Sequence, residues 1–327
     1  MTNSVLDLID DCPHSIIADA FLMCDSKLSR YDTVICCVSG GEDSAIMLDI
    51  THKLDFDKKV IYVFFNTGFE YRATLEYLDE LERKYGIKIE RYRAKKPIPI
   101  ACKEKGVPFL SKYVSEMIYR LQKNGFKWED KSYDELLKEY PNCKCSLKWW
   151  TNQHVREDGK TSSFNIDRDP YLKEFMIENP PEFRISSKCC DYAKKQTAKD
   201  IVKFYNADLQ LIGIRKSEGG IRKARYKSCF SPGSDVDSYR PIFWFTNDVK
   251  KRYKEKYGVS SSECYTEYGL TRTGCVGCPF NNDFENELRV IEKNEPNLRK
   301  AVEKVFGKSY EYTRAFRDYQ RKKGVKV

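Results

Sequence analysis

The sequence lacks the features that would assign it to a membrane or an exported protein. No apolar run approaches the roughly 20 residues that a membrane-spanning helix needs. The first residues, MTNSVLDLIDDCPHS, have no basic start and carry Asp7, Asp10 and Asp11 where a signal peptide has its apolar segment. The sequence also contains no internal repeat and no low-complexity tract. We therefore expect a cytoplasmic protein with no membrane partner.

Histidine is scarce, whereas cysteine is abundant. The three histidines, His14, His52 and His154, fall in no spacing typical of metal ligands. The 13 cysteines, in a chain of 327 residues without a signal peptide, indicate metal or sulfur chemistry rather than disulfides. Eight of them form close pairs in the sequence: Cys36/Cys37, Cys143/Cys145, Cys189/Cys190 and Cys275/Cys278.

Positive charge is concentrated in one part of the chain. The whole sequence has 58 Lys and Arg against 49 Asp and Glu, a net charge of +9. Residues 184–227 alone hold 12 basic and 4 acidic residues, or +8 of that excess. This stretch predicts an anion site, for nucleotide phosphates or for a nucleic acid backbone.

Short apolar strands alternate with helices in two parts of the chain, which predicts an α/β fold with a doubly wound parallel sheet. We predict strands at 33–38, 59–65, 87–92 and 209–214, and helices at 43–54, 71–85 and 193–205. The alternation stops between about residues 97 and 181, which predicts a helical insert. The predicted segments are 1–96 and 184–250 for the α/β core, 97–183 for the insert, and 251–327 for a cysteine-containing segment with a helical, basic C-terminal extension.

The sharpest motif is SGGEDS, from Ser39 to Ser44, between a predicted buried strand and a predicted helix. Two glycines allow close approach of the backbone to a ligand, and the start of a helix offers free N–H groups to an anion. This arrangement favours phosphate binding, although the loop lacks the lysine of a Walker A motif. The alternative is a Gly-Gly turn in which Ser39 or Asp43 caps the helix.

Several motifs, in order, resemble the PP-loop superfamily that contains phosphoadenosine phosphosulfate (PAPS) reductases. SGGEDS resembles the PP-loop of ATP pyrophosphatases. Three further stretches resemble patterns of the PAPS reductase branch: Asn66-Thr67-Gly68 with Glu70 and Thr74; Gly213 to Glu218 with Arg222; and Arg240-Pro241-Ile242, Trp244, Asp248-Val249, Gly269 and Arg272-Thr273-Gly274-Cys275. Tyr265 departs from the last pattern by one position. The resemblance covers residues 33–93 and 185–280 and implies an adenine nucleotide alpha-hydrolase-like fold.

The resemblance also implies a set of binding and catalytic residues. The bound cofactor would be ATP with Mg²⁺, or else a sulfonucleotide such as PAPS or adenylyl sulfate. The implied nucleotide-binding residues are Ser39, Gly40, Gly41, Asp43, Ser44, Asn66, Thr67, Gly68, Arg215 and Arg222. The catalytic candidates are Ser39, Asp43, Lys194 and Arg215. For the two arginines, the alternative is a solvated basic loop that binds nothing.

Cys189-Cys190 and Cys275-x-x-Cys278 resemble the ligands of the [4Fe-4S] cluster in adenylyl-sulfate reductases. A cluster of this kind needs four thiolates. A zinc site with four cysteines is the first alternative, although zinc prefers a C-x-x-C pair on each side. Unligated core cysteines are the second. Lys194 matches the lysine near the cluster in that family, whereas Ala193 stands where those reductases have an arginine.

The insert contains a second group of candidate residues in PNCKCSLKWW. Cys143 and Cys145, beside Lys144 and Lys148, are candidates for redox or sulfur-carrying thiols, for a secondary metal knuckle or for packed thiols. The Leu-Lys that follows resembles DNA phosphorothioation sulfurtransferases. Trp149 and Trp150 fit either a base-stacking platform or packing of the insert, and we favour packing.

Two chemistries compete for the function. One is cleavage of ATP to AMP and pyrophosphate, which activates an acceptor, with nucleic acid favoured by the charge, for sulfur transfer. The other is reduction of PAPS or adenylyl sulfate to sulfite. The SGG-x-DS loop and the absence of cysteine from 279–327, where reductases carry a nucleophilic cysteine, favour the first. A non-catalytic nucleotide-sensing or DNA-binding module is a third hypothesis. A sulfur or electron donor protein and a homo-oligomer complete the expected partners.

Overall fold

The computed structural model describes residues 15–159, 162–218 and 226–326. These residues form two compact units, each built from two separate parts of the chain. The first unit takes residues up to 95 together with 194–274, and the second takes 96–193 together with 275–327. The segment predicted as an insert, 97–183, lies entirely in the second unit.

The first unit contains a sheet of six strands among the described residues, in the order β3-β2-β1-β4-β6-β5. Its strands are β1 (Val34–Cys37), β2 (Val60–Asn66), β3 (Ile89–Arg93), β4 (Leu209–Ile212), β5 (Phe230–Ser231) and β6 (Asp237–Tyr239). All neighbours are parallel except β5 and β6, which are antiparallel. The predicted doubly wound α/β fold is confirmed, and the short antiparallel pair is a feature that the sequence pattern did not predict.

Burial explains why these segments form the central strands. β1 is a run of apolar and β-branched residues, and its residues Val34, Ile35 and Cys36 are completely buried. It pairs on both sides, with Val34 opposite Val60 of β2 and opposite Leu209 of β4. The carboxyl ends of these three parallel strands therefore meet at one edge of the sheet, where α/β proteins bind their ligands.

The helices of the first unit follow the predicted alternation. They are α1 (Ser15–Leu28), α2 (Glu42–Leu54), α3 (Arg72–Tyr85), α10 (Thr197–Tyr205), α11 (Asn247–Tyr257) and α12 (Glu263–Thr266). A 3-10 turn, Lys216–Glu218, follows β4. One core between the helices and the sheet includes Phe21 of α1, Met47 of α2 and Tyr253 of α11. A second, smaller cluster packs Ile201 and Val202 of α10 against the sheet.

The second unit is helical, as predicted for the insert. Its helices are α4 (Ile98–Lys105), α5 (Lys112–Lys123), α6 (Tyr133–Glu139), α7 (Lys144–Trp150), α8 (Leu172–Glu178), α9 (Lys188–Cys190), α13 (Phe284–Asn294) and α14 (Pro296–Lys322), with 3-10 turns at Pro141–Cys143 and Ile166–Arg168. A π-helical segment, Asp191–Gln196, joins α9 to α10. No described helix is both long and apolar enough to cross a membrane.

The insert and the C-terminal helix share one apolar core. Phe316 of α14 belongs to the same buried cluster as Trp149, Trp150 and Phe175 of the insert. Polar contacts reinforce this packing, because the Tyr312 hydroxyl donates a hydrogen bond to the Asn179 carbonyl oxygen at 2.7 Å. The two parts of the second unit therefore depend on each other for their stability.

The tryptophan pair serves packing, as the sequence analysis favoured. Trp149 is 1% exposed and Trp150 is 0% exposed. The indole N–H of Trp150 donates to the Glu129 carbonyl oxygen at 2.9 Å, which satisfies its polar atom inside the core. Neither ring is accessible to a base, so the stacking alternative is wrong.

We predict that Trp150→Ala destabilises the protein by about 3–5 kcal/mol, because it removes a fully buried ring and leaves a cavity. Urea denaturation followed by circular dichroism measures this loss. Trp244→Ala is the matched control, since that ring is 50% exposed, and we expect its effect to be much smaller. Similar losses in the two variants would contradict the packing role of Trp150.

Candidate functional site

Hydrogen bonds between its two serines and the backbone hold the Ser39–Ser44 loop in shape. The backbone N–H and the hydroxyl of Ser39 each donate to Ser44 Oγ at 3.1 Å. The Ser44 hydroxyl in turn donates to the carbonyl oxygen of Gly41 at 2.8 Å. The loop therefore forms a tight turn between β1 and α2.

Both glycines of the loop have close neighbours, and the surroundings of Gly40 leave no room for a side chain. Gly40 has a φ of +71°, and a Cβ there would lie 2.6 Å from Thr74 Cγ2. A Cβ on Gly41 would meet the hydroxyl oxygens of Tyr265 and Thr273 at 3.2 Å each. Thr74, the last residue of the motif after β2, therefore touches the loop directly.

The start of α2 is not capped by its own N-cap residue. That residue is Gly41, with φ −88° and ψ 158°, which has no side chain to accept a hydrogen bond. The alternative in which Ser39 or Asp43 caps this helix is therefore wrong. The Tyr265 hydroxyl accepts a hydrogen bond from the Glu42 N–H, and the positive end of the helix dipole favours an anion beside this turn.

Hydrogen bonds within the Asn66-Thr67-Gly68 stretch fix its conformation. The Gly68 N–H donates to Asn66 Oδ1 at 2.9 Å, and the Thr67 N–H and hydroxyl donate to Glu70 Oε1 at 2.9 and 2.6 Å. Burial raises the pKa of Glu70, while the Thr67 hydrogen bonds and the charge of Lys194 partly oppose that shift. These side chains shape the turn that follows β2.

A polar pocket of about 370 Å³ opens over the loop. It lies at the carboxyl ends of β1 and β4. Its lining comprises Ser39, Gly41, Glu42, Asp43, Ser44, Gly213, Arg215, Ser217, Glu218, Asn247, Lys250, Tyr265, Thr271, Arg272 and Thr273. The structure therefore brings Ser39, Gly41, Asp43, Ser44 and Arg215 of the predicted site together, whereas Asn66, Thr67, Gly68 and Lys194 do not line this pocket.

Arg215 is buried and holds the loop rather than projecting into solvent. Its side chain is 7% exposed, and its Nε lies 2.9 Å from Asp43 Oδ1. The contact is an ion pair by its distance, and within the described residues neither atom has a hydrogen-bond partner. Its Nη1 donates to Ser217 Oγ at 2.8 Å and to Asn247 Oδ1 at 2.9 Å. Arg215 therefore positions Asp43.

Glu42, the second acid of the loop, is neutralised by two lysines of α11. Lys250 Nζ lies 2.7 Å from Glu42 Oε2, and Lys254 pairs with Oε1. Burial disfavours the ionised carboxylate, but hydrogen bonds from Lys250, Lys254 and Ser261 outweigh this effect and lower the pKa of Glu42 to about 2. Glu42 is consequently charged and paired at any physiological pH.

Arg272 is the pocket-lining cation without a carboxylate partner in the described part of the chain. It is exposed. Arg272 and Thr273 match the family pattern, and Tyr265 departs from it by one position, but none of the three was predicted as a site residue. Lys250 matches no motif position in the sequence, so nothing in the sequence indicated that it lines the pocket. Arg222, a predicted site residue, lies outside the described residues.

The four predicted cluster ligands all belong to the second unit. Cys189 is 3% exposed, whereas Cys190, Cys275 and Cys278 are partly exposed. A hydrogen bond with the Cys102 thiol is the main cause that raises the pKa of Cys189, and the nearby Cys278 contributes in the same direction. Cys102 was missed because it is an isolated cysteine in the sequence.

The residue types fit a thiolate-ligated cluster, because four cysteines are the ligand set that [4Fe-4S] requires. Cys278 lies near enough to Cys189 to raise the pKa of its thiol. Within residues 15–159, 162–218 and 226–326, however, no three His, Cys, Asp or Glu side chains are arranged to hold a metal ion. The four cysteines therefore fit a cluster by their residue type and by their location in the same unit.

The two insert cysteines have different environments. Cys143 is 2% exposed, its thiol donates to the Arg120 carbonyl oxygen at 3.6 Å, and burial raises its pKa. It is a packed thiol. Cys145 is exposed.

The mostly parallel sheet, with the Ser39–Ser44 loop at the end of its first strand, defines a PP-loop nucleotide-binding protein. The sequence profile of the phosphoadenosine phosphosulfate reductase domain matches residues 33–281. The chain belongs to this family. The resemblance that the motifs predicted is thereby confirmed.

Similar proteins include two uncharacterised ones. A protein of Methanocaldococcus jannaschii is 40% identical over 75 residues, and the matched part spans 23% of this chain but only 15% of that protein. A 37.8 kDa protein of Escherichia phage 186 is 24% identical over 268 residues, which cover 78% of this chain and 70% of the phage protein. A solved phosphoadenylyl-sulfate reductase from Candida auris, in complex with phosphate, has 14% identity and a TM-score of 0.43, with 83% of this chain and 93% of that chain covered.

We predict that Glu42→Gln destabilises the protein by about 1 kcal/mol at neutral pH, after allowance for solvent screening. A carboxylate with a lowered pKa stabilises the fold above its ordinary pKa of 4.5, and this contribution is lost as the pH falls toward about 2. The difference between the wild type and the variant should therefore shrink in acid. Urea denaturation at several pH values measures it.

Glu76→Gln is the control for this prediction, because Glu76 is 53% exposed and lies 3.8 Å from Arg72. An exposed pair of this kind contributes little. A loss in Glu42→Gln that stays constant from neutral to acid pH would show that ion pairing is not its cause.

Proposed function

We propose that the protein binds ATP at the Ser39–Ser44 loop and cleaves it to AMP and pyrophosphate, which activates an acceptor for sulfur transfer. The charge balance of the pocket is the observation that supports this proposal. Arg215 forms an ion pair with Asp43, and Lys250 forms one with Glu42. Among the described lining residues, Arg272 is therefore the cation that has no carboxylate partner. ATP brings Mg²⁺ to neutralise its own phosphates, whereas a sulfonucleotide would depend on protein cations.

Each loop group has a role in this proposal. The N–H groups at the start of α2, with the Ser39 and Ser44 hydroxyls, bind the β- and γ-phosphates that leave as pyrophosphate. Gly40 and Gly41 allow the backbone to approach them. Arg215 is a positioning residue that orients Asp43, and Arg272 contacts the phosphate at which charge develops. Asn66, Thr67 and Gly68 form the adjoining edge of the nucleotide site, and Arg222 remains a proposed contributor.

The proposed reaction balances without a reductant. An acceptor oxygen attacks the α-phosphorus of ATP, the bond from that phosphorus to the β-phosphate bridge breaks, and pyrophosphate leaves. A sulfur nucleophile from a donor then displaces AMP from the adenylated acceptor. Without an acceptor, water takes its place, and AMP and pyrophosphate form slowly.

The cysteines of the second unit would hold a [4Fe-4S] cluster through Cys189, Cys190, Cys275 and Cys278. When bound, such a cluster would supply iron for sulfur or electron handling. The family match and the shared location of the four cysteines support this assignment. Lys194, four residues after Cys190, is the proposed basic residue beside the pair.

The test incubates the protein, prepared without oxygen, with ATP and Mg²⁺, and separately with PAPS or adenylyl sulfate plus a thioredoxin system. We predict AMP and pyrophosphate in the first mixture and no sulfite in the second. Robust sulfite release, lost in Cys145→Ser, would instead assign the protein to sulfonucleotide reduction. Nucleotide binding with neither product would favour a nucleotide-sensing module.

Variants of the loop identify the site in this assay. Gly41→Val should abolish ATP binding in calorimetry while the protein stays folded, because its side chain enters the space before Tyr265 and Thr273. Gly274→Ala is the control, since a Cβ there meets nothing within 4 Å. Arg272→Ala should lower kcat more than it raises KM, and Lys251→Ala, on an exposed side chain, should change neither.

For the cluster we predict about four irons per chain in anaerobic protein and broad absorption near 400 nm. Cys275→Ala or Cys278→Ala should remove both signals, because each takes away one of the four thiolates. Cys229→Ala, in the first unit, is the control and should leave them unchanged. Stoichiometric zinc without iron would contradict the cluster.

A further inference from the structure

A second pocket, of about 310 Å³, lies in the second unit and takes no part in the proposed ATP site. It is lined by Glu104, Lys105, Tyr119, Gln122, Lys123 and Arg184. Its lining combines the C-terminal ends of α4 and α5 with the segment that precedes Cys189. Three of its six lining side chains are cations.

Close backbone packing fixes Arg184 beside the end of α4. Gly106 has a φ of +103°, and a Cβ there would lie 2.4 Å from the Arg184 carbonyl oxygen. The Val107 N–H donates to that same oxygen at 2.9 Å, and the Ser186 N–H donates to the Val107 carbonyl oxygen at 2.8 Å. Glycine at position 106 is what permits this approach.

The Gln122 side chain of α5 holds the backbone on both sides of Arg184 through hydrogen bonds. Its side-chain N–H donates to the Phe183 carbonyl oxygen at 2.8 Å, and its Oε1 accepts the Ile185 N–H at 2.9 Å. The residues before and after Arg184 are therefore both anchored. The Arg184 side chain itself remains exposed and starts from a fixed backbone.

The charges around the pocket are unbalanced. Glu104 forms an ion pair with Lys96, with 2.6 Å between Oε2 and Nζ. Glu116, on the same helix as Tyr119, forms ion pairs with Arg120 Nε at 2.9 Å and with Lys188 Nζ at 3.2 Å. Across the described part of the chain, by contrast, no carboxylate lies within ion-pair distance of Lys105, Lys123 or Arg184.

We propose that this pocket binds a phosphate group of a nucleic acid backbone. Lysine and arginine around a cavity provide only donors and positive charge, and a guanidinium can hold two phosphate oxygens at once. Of the basic residues in the stretch 184–227, Arg184 and Lys188 belong to the second unit. The inference rests on the proposed function, because it gives the activated acceptor a place to bind.

The test measures binding of a labelled single-stranded DNA or RNA of about 20 nucleotides by fluorescence anisotropy, without ATP. Arg184→Glu and Lys123→Glu should each weaken binding about tenfold near 0.1 M salt and reduce the slope of log K against log salt by about 0.7 per lost phosphate contact. Lys103→Glu is the matched control, because Lys103 is exposed on α4 and does not line the pocket. It should change affinity by less than about threefold.

Further measurements separate the possible outcomes. Circular dichroism checks that the variants fold, and Arg184→Gln, with a smaller expected loss, serves if charge reversal disturbs the fold. Equal loss in Lys103→Glu, or no loss in the pocket variants, would overturn the proposal. Tight calorimetric binding of inorganic phosphate without nucleic acid binding would overturn the assignment to a nucleic acid. Pyrophosphate release without an acceptor should stay unchanged in every pocket variant, so failure of the proposed ATP chemistry is recognised separately.

Discussion

Charge compensation at the start of α2 is the constraint on which the site depends. The first turn of α2 carries two acids, Glu42 and Asp43, and uncompensated carboxylates there would repel any anion. Lys250 and Lys254 pair with Glu42, and Arg215 pairs with Asp43. Because these cations come from α11 and from the loop after β4, the pocket forms only when distant parts of the chain are folded together. The loop motif and the downstream motifs of the family are thus halves of one electrostatic arrangement.

Close contacts at the strand ends give the same motifs a steric role. Thr74 lies against Gly40, and a Cβ on Gly213 would approach the backbone of Ser44 to 3.2 Å. The start of α3, which follows β2, and the turn after β4 therefore both contact the loop after β1, because parallel neighbours end at the same edge of the sheet. Bulk at any of these positions would displace the donors that face the pocket.

The sequence was sufficient for the features that depend on local pattern. β1 and β2 are apolar runs with β-branched residues, and α3 and α5 carry helical periodicity, so these elements and the α/β class could be predicted. β5 and β6 were missed because strands of two and three residues have no period to detect. The pairing of Glu42 with Lys250 spans 208 residues of sequence, and the burial of Arg215 depends on tertiary packing. The contact of Cys102 with Cys189 likewise follows from the fold rather than from spacing.

The interleaved connectivity of the two units has a consequence for biosynthesis. Residues 96–193 leave the ribosome long before residues 275–327, yet Phe316 and Tyr312 of α14 complete the core around Phe175. Until then the insert exposes an apolar face that it cannot bury alone, and the first unit likewise waits for residues 194–274. The core around Phe175 can therefore close only after α14 has been synthesised, and apolar surface exposed before that point favours aggregation of a nascent chain.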